Sequence, residues 1–532
     1  MSEIPDNSTP TKRIAAIDLG TNSFHAVLVD LYPDGSYRTI DKLKEMVILA
    51  EKGMKDHLSE DAMQRGLDAL KRIKFLCDSK DVEEILAFAT SAIREAKNGG
   101  DFIQRMIDEV GIKARAIPGK REAEMIGYAV RHSIAMDDEM VLMVDIGGGS
   151  VEFIVGNNEE FIYYNSFKLG VARMAARFVR NDPITQKEIK ELWEHYRETL
   201  KEISEVVSEH SVKTIIGSSG TMENIAAMIA QRNSISSAMT LNELVYHDDE
   251  FLPFYENFIK LNRKERAKEK ELDEKRIDII NPGMVLVKFL IEEFNIQNIK
   301  ISEAALRDGI ILNYINKERS SLPLMARFSD PRKRSVFELL RKCNWMKEHS
   351  THVAQLALQI FDEFRKELKL KKEDRELLEY ATYMHDIGYY ISHRKHHKHA
   401  LYLIMHADLR GFTADEISLM ANVARYHRRS VPRKRHKFYR KLDSDLKQRV
   451  KRLSGILRVA DGLDRSHYQN VQELEIEKGA EVIKFYITTQ GDPELEIWGA
   501  MRKKELFEEI TGKELEIYAV EQDANIPVET GK

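Results

Sequence analysis

Glycine and hydroxyl residues cluster at three points of the chain, each directly after an apolar run. The clusters are Gly20-Thr21-Asn22-Ser23, Gly147-Gly148-Gly149-Ser150 and Gly217-Ser218-Ser219-Gly220-Thr221. Glycine lets the backbone approach a phosphate closely, and successive backbone N–H groups in such a turn can surround an anion. One turn of this kind is weak evidence, because glycine also makes plain turns. Three of them, each after an apolar strand, predict a site that holds phosphate groups.

Carboxylates accompany two of these clusters. Asp18 and Asp145 end the apolar runs before the first two clusters, where a carboxylate is costly without a partner. Glu152 lies two residues after Ser150 and therefore on the same side of a strand. Mg²⁺ binds one or two carboxylates together with phosphate oxygens and water. We therefore expect Mg²⁺ at Asp18, Asp145 and Glu152; the alternative is that each aspartate only caps a turn.

An internal repeat predicts how the first half of the chain folds. Residues 13–30 and 141–156 both read as an apolar strand, an aspartate, a glycine turn and a second strand. Such a repeat indicates two copies of one α/β unit. Between the copies, apolar spacing predicts a helix over 61–77, and a β-branched run predicts a strand over 85–90. Further helices are expected from Glu122, from Met222 and near Pro282.

The second half of the chain changes character. Helical patterns dominate from about residue 329 to residue 464, whereas 471–532 alternates like strands, including the ELEIWGA segment, with one helix at 503–511. The expected fold class is α/β, followed by a helical domain and a small α/β tail. The expected domains are 1–137, 138–326, 327–470 and 471–532. The dense charges of 263–276 are interpreted as a solvated helix face.

Composition limits the class of protein. The 532 residues are 43% hydrophobic and 32% charged, with a formal net charge of -5, so only local clusters could attract polyanions. The two distant cysteines, Cys77 and Cys343, form no disulfide framework, which fits a reducing compartment. The sequence offers no apolar run of about 18 residues and no secretory h-region. We expect a cytoplasmic protein without a membrane partner.

Seven segments in order resemble the exopolyphosphatase and pppGpp phosphatase family of the actin-like ATPase superfamily. They are IDLGTNS, ATSAIRE, PGKREAE, DIGGGSVEF, GSSGT, RIDIINPG and SEAALRDG, and they span about residues 13–315. The resemblance implies duplicated actin-like (ribonuclease H-like) domains, a substrate that is inorganic polyphosphate or pppGpp, and a homodimer.

The resemblance also implies residue roles. Glu122 matches the general base of the family, and Arg94 matches a contact to the substrate phosphate. Asp145 and Glu152 match carboxylates that position Mg²⁺ and water. Many members carry two adjacent glutamates followed by Ala-Arg, whereas this chain has Arg121-Glu122-Ala123-Glu124. Glu124 is therefore a weaker alternative base.

The helical region carries a second set of chemical residues. His352, then His385-Asp386, then Asp461 fall on separate helical patterns and resemble the HD-type metal-dependent phosphohydrolases. Imidazoles and carboxylates together suit Mn²⁺, Fe²⁺ or Zn²⁺, so a second divalent transition metal is a candidate cofactor. His393, His399 and His427 could widen the site. The alternative is a helical scaffold without metal, since members of the family resembled often lack these ligands.

A basic stretch lies in the same region. Residues 425–441 hold nine lysines and arginines and no acid, and 393–399 add more positive charge. This stretch is either a solvated face or a track for a polyanion, whose binding would depend strongly on salt. Few aromatics interrupt it, which argues against nucleic acid held by base stacking.

The leading hypothesis is an exopolyphosphatase that hydrolyses the terminal phosphate of polyphosphate by Mg²⁺-assisted attack of water. A pppGpp 5′-phosphohydrolase would use the same residues. A non-catalytic sensor of polyphosphate or of an alarmone, and an enzyme whose main activity lies in the helical domain, remain as alternatives. A kinase is disfavoured because GSSGTMEN, residues 217–224, offers no aspartate base.

Overall fold

A computed structural model describes residues 10–33, 35–49, 56–233, 240–318 and 330–520. The chain divides into two compact units between Pro331 and Arg332, and each is described by itself. No helix among the described residues is long and apolar enough to cross a bilayer. The four-domain division remains a prediction.

The first sheet of unit 1 contains five strands in the order β3-β2-β1-β4-β5. They are β1 (Lys12–Leu19), β2 (Ser23–Leu31), β3 (Tyr37–Met46), β4 (Glu84–Ala89) and β5 (Ala114–Ala116). The first three strands are antiparallel, whereas β4 runs parallel to β1 and β5 parallel to β4. The turn between β1 and β2 is the first glycine cluster, as the repeat predicts.

The second sheet of unit 1 repeats this plan in the order β10-β11-β9-β6-β7-β8. Its strands are β6 (Val141–Ile146), β7 (Val151–Gly156), β8 (Phe161–Phe167), β9 (Thr214–Ser218), β10 (Val245–His247) and β11 (Asn298–Ile301). Again a three-stranded antiparallel meander comes first, and β9 runs parallel to β6. The duplication read from the sequence is therefore confirmed.

Helices cover both sheets of unit 1. They are α1 (Glu60–Ser79), α2 (Ser91–Glu95), α3 (Gly99–Val110), α4 (Gly119–Ser133), α5 (Val171–Phe178), α6 (Gln186–Thr199), α7 (Lys201–Glu209), α8 (Ser219–Arg232), α9 (Asp248–Phe258), α10 (Arg263–Arg266), α11 (Ile280–Phe294) and α12 (Leu306–Glu318). Helix α1 confirms the helix predicted over 61–77 from its apolar spacing: Ser59 caps its N-terminus and its apolar stripe is buried. One apolar cluster joins residues of both sheets to α4 and α12, so the two halves share a core.

Unit 2 combines helices with one three-stranded sheet. The helices are α13 (Pro331–Lys342), α14 (Lys347–Phe364), α15 (Asp374–Tyr383), α16 (His396–Met405), α17 (Ala414–Arg425), α18 (Lys437–Lys441), α19 (Ser444–Gly462), α20 (Glu494–Met501) and α21 (Glu505–Thr511). The sheet has the order β12-β13-β14, with β12 (Val471–Lys478), β13 (Val482–Thr489) and β14 (Glu514–Val520). Helices and strands contribute to one apolar core.

Two local predictions are wrong. The ELEIWGA segment is helix α20, because its small residues Gly499 and Ala500 pack closely against Gly462 of α19. The charged run 263–276 is not one solvated helix: α10 ends at Arg266, and a separate 3₁₀ turn covers Glu274–Arg276. Arg266 is buried, since it donates to Asp182 and to backbone carbonyls.

Candidate functional site

The first two glycine clusters lie against each other. A Cβ placed on Gly149 would come within 2.2 Å of Ser91 Oγ and 2.8 Å of Thr21 Oγ1. Thr21 Oγ1 is itself 3.1 Å from Ser91 Oγ. Asn22 lies beside Gly148, whose added Cβ would be 2.9 Å from its amide nitrogen. Glycine is therefore required at the point where the two turns meet.

The third cluster attaches to the second through hydroxyl hydrogen bonds. Ser218 Oγ donates to Asp145 Oδ2 at 2.8 Å, and Ser219 Oγ and Thr221 Oγ1 donate to the carbonyl of Ile146 at 2.8 and 3.0 Å. Ser219 has φ 68°, a left-handed conformation that is uncommon for a residue other than glycine. The strand-to-helix turn after β9 is thus tied to the end of β6.

The remaining residues of the three clusters occupy the same turns. Ser23 begins β2 and its Oγ lies 2.7 Å from His25 Nε2. Ser150 is buried, and its carbonyl accepts from the N–H of Gly147 at 3.1 Å. Gly217 is in β9, and Gly220 packs against the guanidinium of Arg276. The structure brings all three clusters together, whereas their contacts to a phosphate remain predictions.

Four carboxylates gather beside these turns. Asp145 and Glu152 are directly opposite each other on β6 and β7, and Asp18 is the penultimate residue of β1. Burial raises the pKa of Asp18 to about 7, and the negative charges of Glu122 and Asp145 contribute to this shift. Burial also raises the pKa of Asp145, and burial followed by the charges of Glu122 and Asp145 raises the pKa of Glu152 well above its usual range.

This crowding fits a divalent cation. Among the described residues, the buried Asp18 Oδ1 has no hydrogen-bond partner. Several buried carboxylates that destabilise one another's charge are stabilised when a cation binds between them. Oxygen ligands of this kind suit Mg²⁺.

Glu122 lies in the first turn of α4 and is 5% exposed. Its Oε2 accepts from Arg94 Nη1 at 2.6 Å, and Arg94 also donates to the carbonyl of Ile117. Burial raises the pKa of Glu122 to about 7, while Arg94 opposes that shift. A carboxylate with this pKa can both accept and release a proton near neutral pH.

A cavity of about 350 Å³ opens beside the Arg94–Glu122 pair. Its lining residues are Arg94, Glu95, Gly119, Lys120, Asn165, Ser166 and Lys168. Ser166 Oγ donates to Glu152 Oε1 at 2.7 Å, so one residue of the cavity lining contacts a carboxylate of the second sheet. Glu124, the alternative base, is paired with Arg121 instead.

Three residues of this site were missed by sequence reasoning. Ser91 lies within the ATSAIRE segment, so its motif was visible although its contact with Thr21 was not. Arg276 donates to Thr221 Oγ1 at 3.0 Å from the end of the charged run that was interpreted as a solvated face. Ser166 stands in an ordinary edge strand, where no signal in the sequence marks it.

Three of the four predicted HD-type residues lie together in unit 2, and the fourth, His352, does not lie with them. His385, Asp386 and Asp461 are buried and adjacent, but their partner from α14 is His349 rather than His352. His352 lies one turn further along α14, and the structure places it in neither candidate metal-binding group among the described residues. Residues three apart share a helix face, so spacing alone could not choose between them.

Of the three additional histidines predicted to widen the site, one lies there. His427 joins Asp386 as expected, and His396 accompanies it. His393 and His399 do not belong to either group of the described residues. His393 is exposed, and its carbonyl accepts from His396 Nδ1.

Comparisons with known proteins match both units to one protein family. The sequence model of a family described as the Ppx/GppA phosphatase family matches residues 28–318, and a model described as Ppx/GppA phosphatase, domain III, matches residues 332–493. A guanosine-5′-triphosphate,3′-diphosphate pyrophosphatase from Photobacterium profundum is 29% identical over 419 residues, which cover 78% of this chain and 80% of that protein.

Two crystal structures resemble more than half of this chain. That of an exopolyphosphatase from Cytophaga hutchinsonii is 30% identical, covers 57% of this chain and 98% of the other, and has a TM-score of 0.55. That of an exopolyphosphatase-like protein is 25% identical, covers 57% and 97%, and has a TM-score of 0.51.

Proposed function

Since the chain belongs to the Ppx/GppA phosphatase family and is a phosphoanhydride hydrolase, we propose that it removes the terminal phosphate of inorganic polyphosphate. The observation that carries this proposal is the convergence of three glycine and hydroxyl turns beside the buried base candidate Glu122. Phosphoryl transfer needs little covalent chemistry from a protein, and positioning and charge neutralisation supply most of the catalysis. These turns and carboxylates offer both.

The turns would bind the terminal phosphate. Backbone N–H groups of Gly148 to Ser150 and the hydroxyl of Thr21 would donate to its oxygens, and Arg94 adds a positive charge at the cavity. Mg²⁺ held by Asp145, with Asp18 and Glu152, would offset the charge that builds on the transferring oxygens. The resting Arg94–Glu122 ion pair favours the ionised form of this buried carboxylate and so opposes the effect of burial on its pKa.

Glu122 would act as general base. It takes a proton from water while the water oxygen forms a bond to the terminal phosphorus and the bridging P–O bond breaks. The shortened chain leaves with the electron pair of that bond. A base in position contributes about 10²–10⁴-fold to the rate.

A second substrate is favoured by one specific observation. The relative that is 29% identical over 419 residues is named for the pyrophosphatase reaction on guanosine-5′-triphosphate,3′-diphosphate. The same turns and base would serve this molecule, whose 5′ end is also a terminal phosphoanhydride. Specificity constants for purified long-chain polyphosphate and for pppGpp decide which substrate this chain prefers.

Three matched variants test the site. Glu122→Gln should lose about 10²–10⁴ in kcat on the preferred substrate while keeping substrate binding. Glu124→Gln, in the same helix, should keep activity within a few-fold, and so should Asp386→Asn in unit 2. A comparable loss of activity in Glu124→Gln would identify Glu124 as the general base. A loss of activity in Asp386→Asn alone would assign the activity to unit 2. Binding of either substrate without phosphate release, with Mg²⁺ present, would instead make the protein a sensor.

A further inference from the structure

The basic stretch of unit 2, residues 425–441, contains a small cavity of about 180 Å³. The cavity lies between the end of α17 and the start of α18. None of its lining residues belongs to the two histidine and aspartate groups found among the described residues. The cavity is therefore distinct from those groups. Its lining residues are Arg425, Tyr426, His436, Lys437, Phe438 and Tyr439.

Four of the six lining residues carry a ring. Tyr426 and His436 are stacked, with ring centres 5.6 Å apart and an angle of 27° between the planes. Tyr439 meets Tyr426 edge to face at 6.0 Å. The aromatic residues of this stretch are sparse in the sequence, but folding gathers them at one point. A cavity lined by ring faces and edges favours a flat apolar group as its occupant.

The polar atoms of these rings already have partners within the protein. Tyr426 donates its hydroxyl to His436 Nδ1 at 2.8 Å, and the backbone N–H of Arg433 donates to the same nitrogen at 3.3 Å. Tyr439 donates its hydroxyl to the carbonyl of Lys447. Burial and the positive charges nearby lower the pKa of His436, so its ring is neutral at pH 7. The rings therefore present mostly carbon surface to the cavity.

Positive charge surrounds this apolar cavity. The stretch 425–441 holds nine lysines and arginines and no acid. Among the residues of unit 2 that the structure describes, none of the nine forms an ion pair with a carboxylate. Lys398 of α16 adds a further positive charge close to His436. Uncompensated charge of this density attracts an anion that carries several charges, such as a short chain of phosphates.

A buried arginine holds the backbone that carries Tyr426. Arg458 of α19 is 5% exposed, and its Nη1 donates to the carbonyls of Tyr426 and Arg429 at 3.1 and 3.3 Å. Arg429 has φ 59°, a left-handed conformation that costs free energy in a residue other than glycine. These contacts fix the ring of Tyr426 before a ligand binds, which lowers the entropy cost of binding.

We propose that this cavity binds the base of a nucleoside triphosphate, whose phosphates lie among the lysines and arginines at its mouth. The cavity is smaller than the roughly 300–1,000 Å³ of sites that enclose a whole drug-sized ligand, so it holds one ring system and leaves the rest of the ligand outside. Inorganic polyphosphate has no apolar part and would gain nothing from the rings. Because few polar atoms face the cavity, stacking holds the base without selecting it. The proposal is independent of the reaction assigned to unit 1.

Photolabelling of the full chain locates the base. The probe is 8-azidoadenosine 5′-triphosphate, used with EDTA so that unit 1 lacks a divalent cation, and labelled peptides are identified by mass spectrometry. We expect the label within residues 425–441. ATP and GTP should protect this segment at similar concentrations, whereas inorganic tripolyphosphate should need about 5–150-fold more, which corresponds to the loss of one stacked base. Absence of label from 425–441, or equal protection by tripolyphosphate, would overturn the proposal.

Two variants separate the contribution of the base from that of the phosphates. Phe438→Leu keeps an apolar side chain but removes a ring, so ATP should bind about 5–50-fold more weakly while tripolyphosphate binding stays unchanged. Lys437→Gln should weaken the binding of both ligands to a similar degree, because it removes a positive charge. Both binding constants are read from protection of the label in 425–441, so binding to unit 1 does not contribute to them.

Matched controls lie in the same unit. Tyr468→Leu removes a ring that is 83% exposed, Lys372→Gln removes an exposed lysine, and neither residue lines the cavity. Both variants should keep the binding constants of the parent. An unchanged ATP constant in Phe438→Leu would contradict the role of the rings. If Phe438→Leu does not fold by circular dichroism, His436→Gln removes another ring of the same cavity and decides the question.

Discussion

Replacing Arg94 by glutamine removes the positive charge that faces Glu122 and should move the pH dependence of the reaction. Arg94 Nη1 lies 2.6 Å from Glu122 Oε2, and the two side chains are 19% and 7% exposed. Burial raises the pKa of Glu122 to about 7, and Arg94 acts in the opposite direction. Because the base works as a carboxylate, kcat/KM should rise with pH through the pKa of Glu122.

The sign and size of the shift follow from the ion pair. An opposite charge at such a distance lowers a carboxyl pKa by about 1–3 units, so the Arg94→Gln variant should show its rising limb about 1–3 pH units higher. Because Glu122 with a pKa of about 7 is half ionised at pH 7, this shift alone lowers kcat/KM about 5–500-fold at that pH. Bound Mg²⁺ shifts the rising part of the pH profile in the same direction for the parent and the variant. The difference in apparent pKa between the two proteins is therefore the quantity to compare.

The assay is phosphate release across about pH 5 to pH 9 at constant ionic strength. Arg94→Lys serves as the matched variant, because it keeps the charge and should keep the limb near that of the parent. A uniform loss of activity in Arg94→Gln with an unmoved limb would refute the argument, since Arg94 would then contact only the substrate.

Three further predictions concern the same site. Burial raises the pKa of Asp18 to about 7, so the folded state holds a proton that the unfolded chain releases above about pH 4, and stability falls between these values. Mg²⁺ should therefore raise the unfolding temperature more at pH 8 than at pH 5, and an equal rise would contradict this account. Ser218→Ala removes a 2.8 Å hydrogen bond to Asp145 and should raise the half-saturating Mg²⁺ concentration about 10–100-fold, measured by activity titration, whereas the exposed Ser208→Ala should not. Gly149→Ala forces a methyl group against Ser91 and Thr21 and should raise KM. Gly100→Ala is the control, because a Cβ at Gly100 meets nothing within 4 Å. Equal kinetics for the two alanine variants would show that the first two turns need not touch.

Local motifs predicted the strands, turns and carboxylates of unit 1 because each depends on neighbouring residues in the sequence. An apolar run ending in Asp145 and followed by three glycines specifies a strand and a tight turn without long-range information. The repeat at Asp18 then predicted two copies of one α/β unit, which the two sheets of unit 1 confirm.

Long-range contacts account for what the sequence could not predict. Helix α20 has a strand-like alternation, but Glu496 is buried through hydrogen bonds to Ser466 and Asn470, which no local pattern reveals. The choice of His349 over His352 likewise depends on Asp464, 115 residues later. The homodimer expected from the family resemblance and the polyanion track along 425–441 remain predictions.

A crystal structure of the Glu122→Gln variant with Mg²⁺ and a short polyphosphate would show where the terminal phosphate binds. We expect the terminal phosphate to contact the turns at 20–23 and 147–150, with Mg²⁺ on Asp145 and residue 122 beside the attacked phosphorus. A terminal phosphate bound outside these turns, with residue 122 out of reach of its phosphorus, would contradict the proposed reaction.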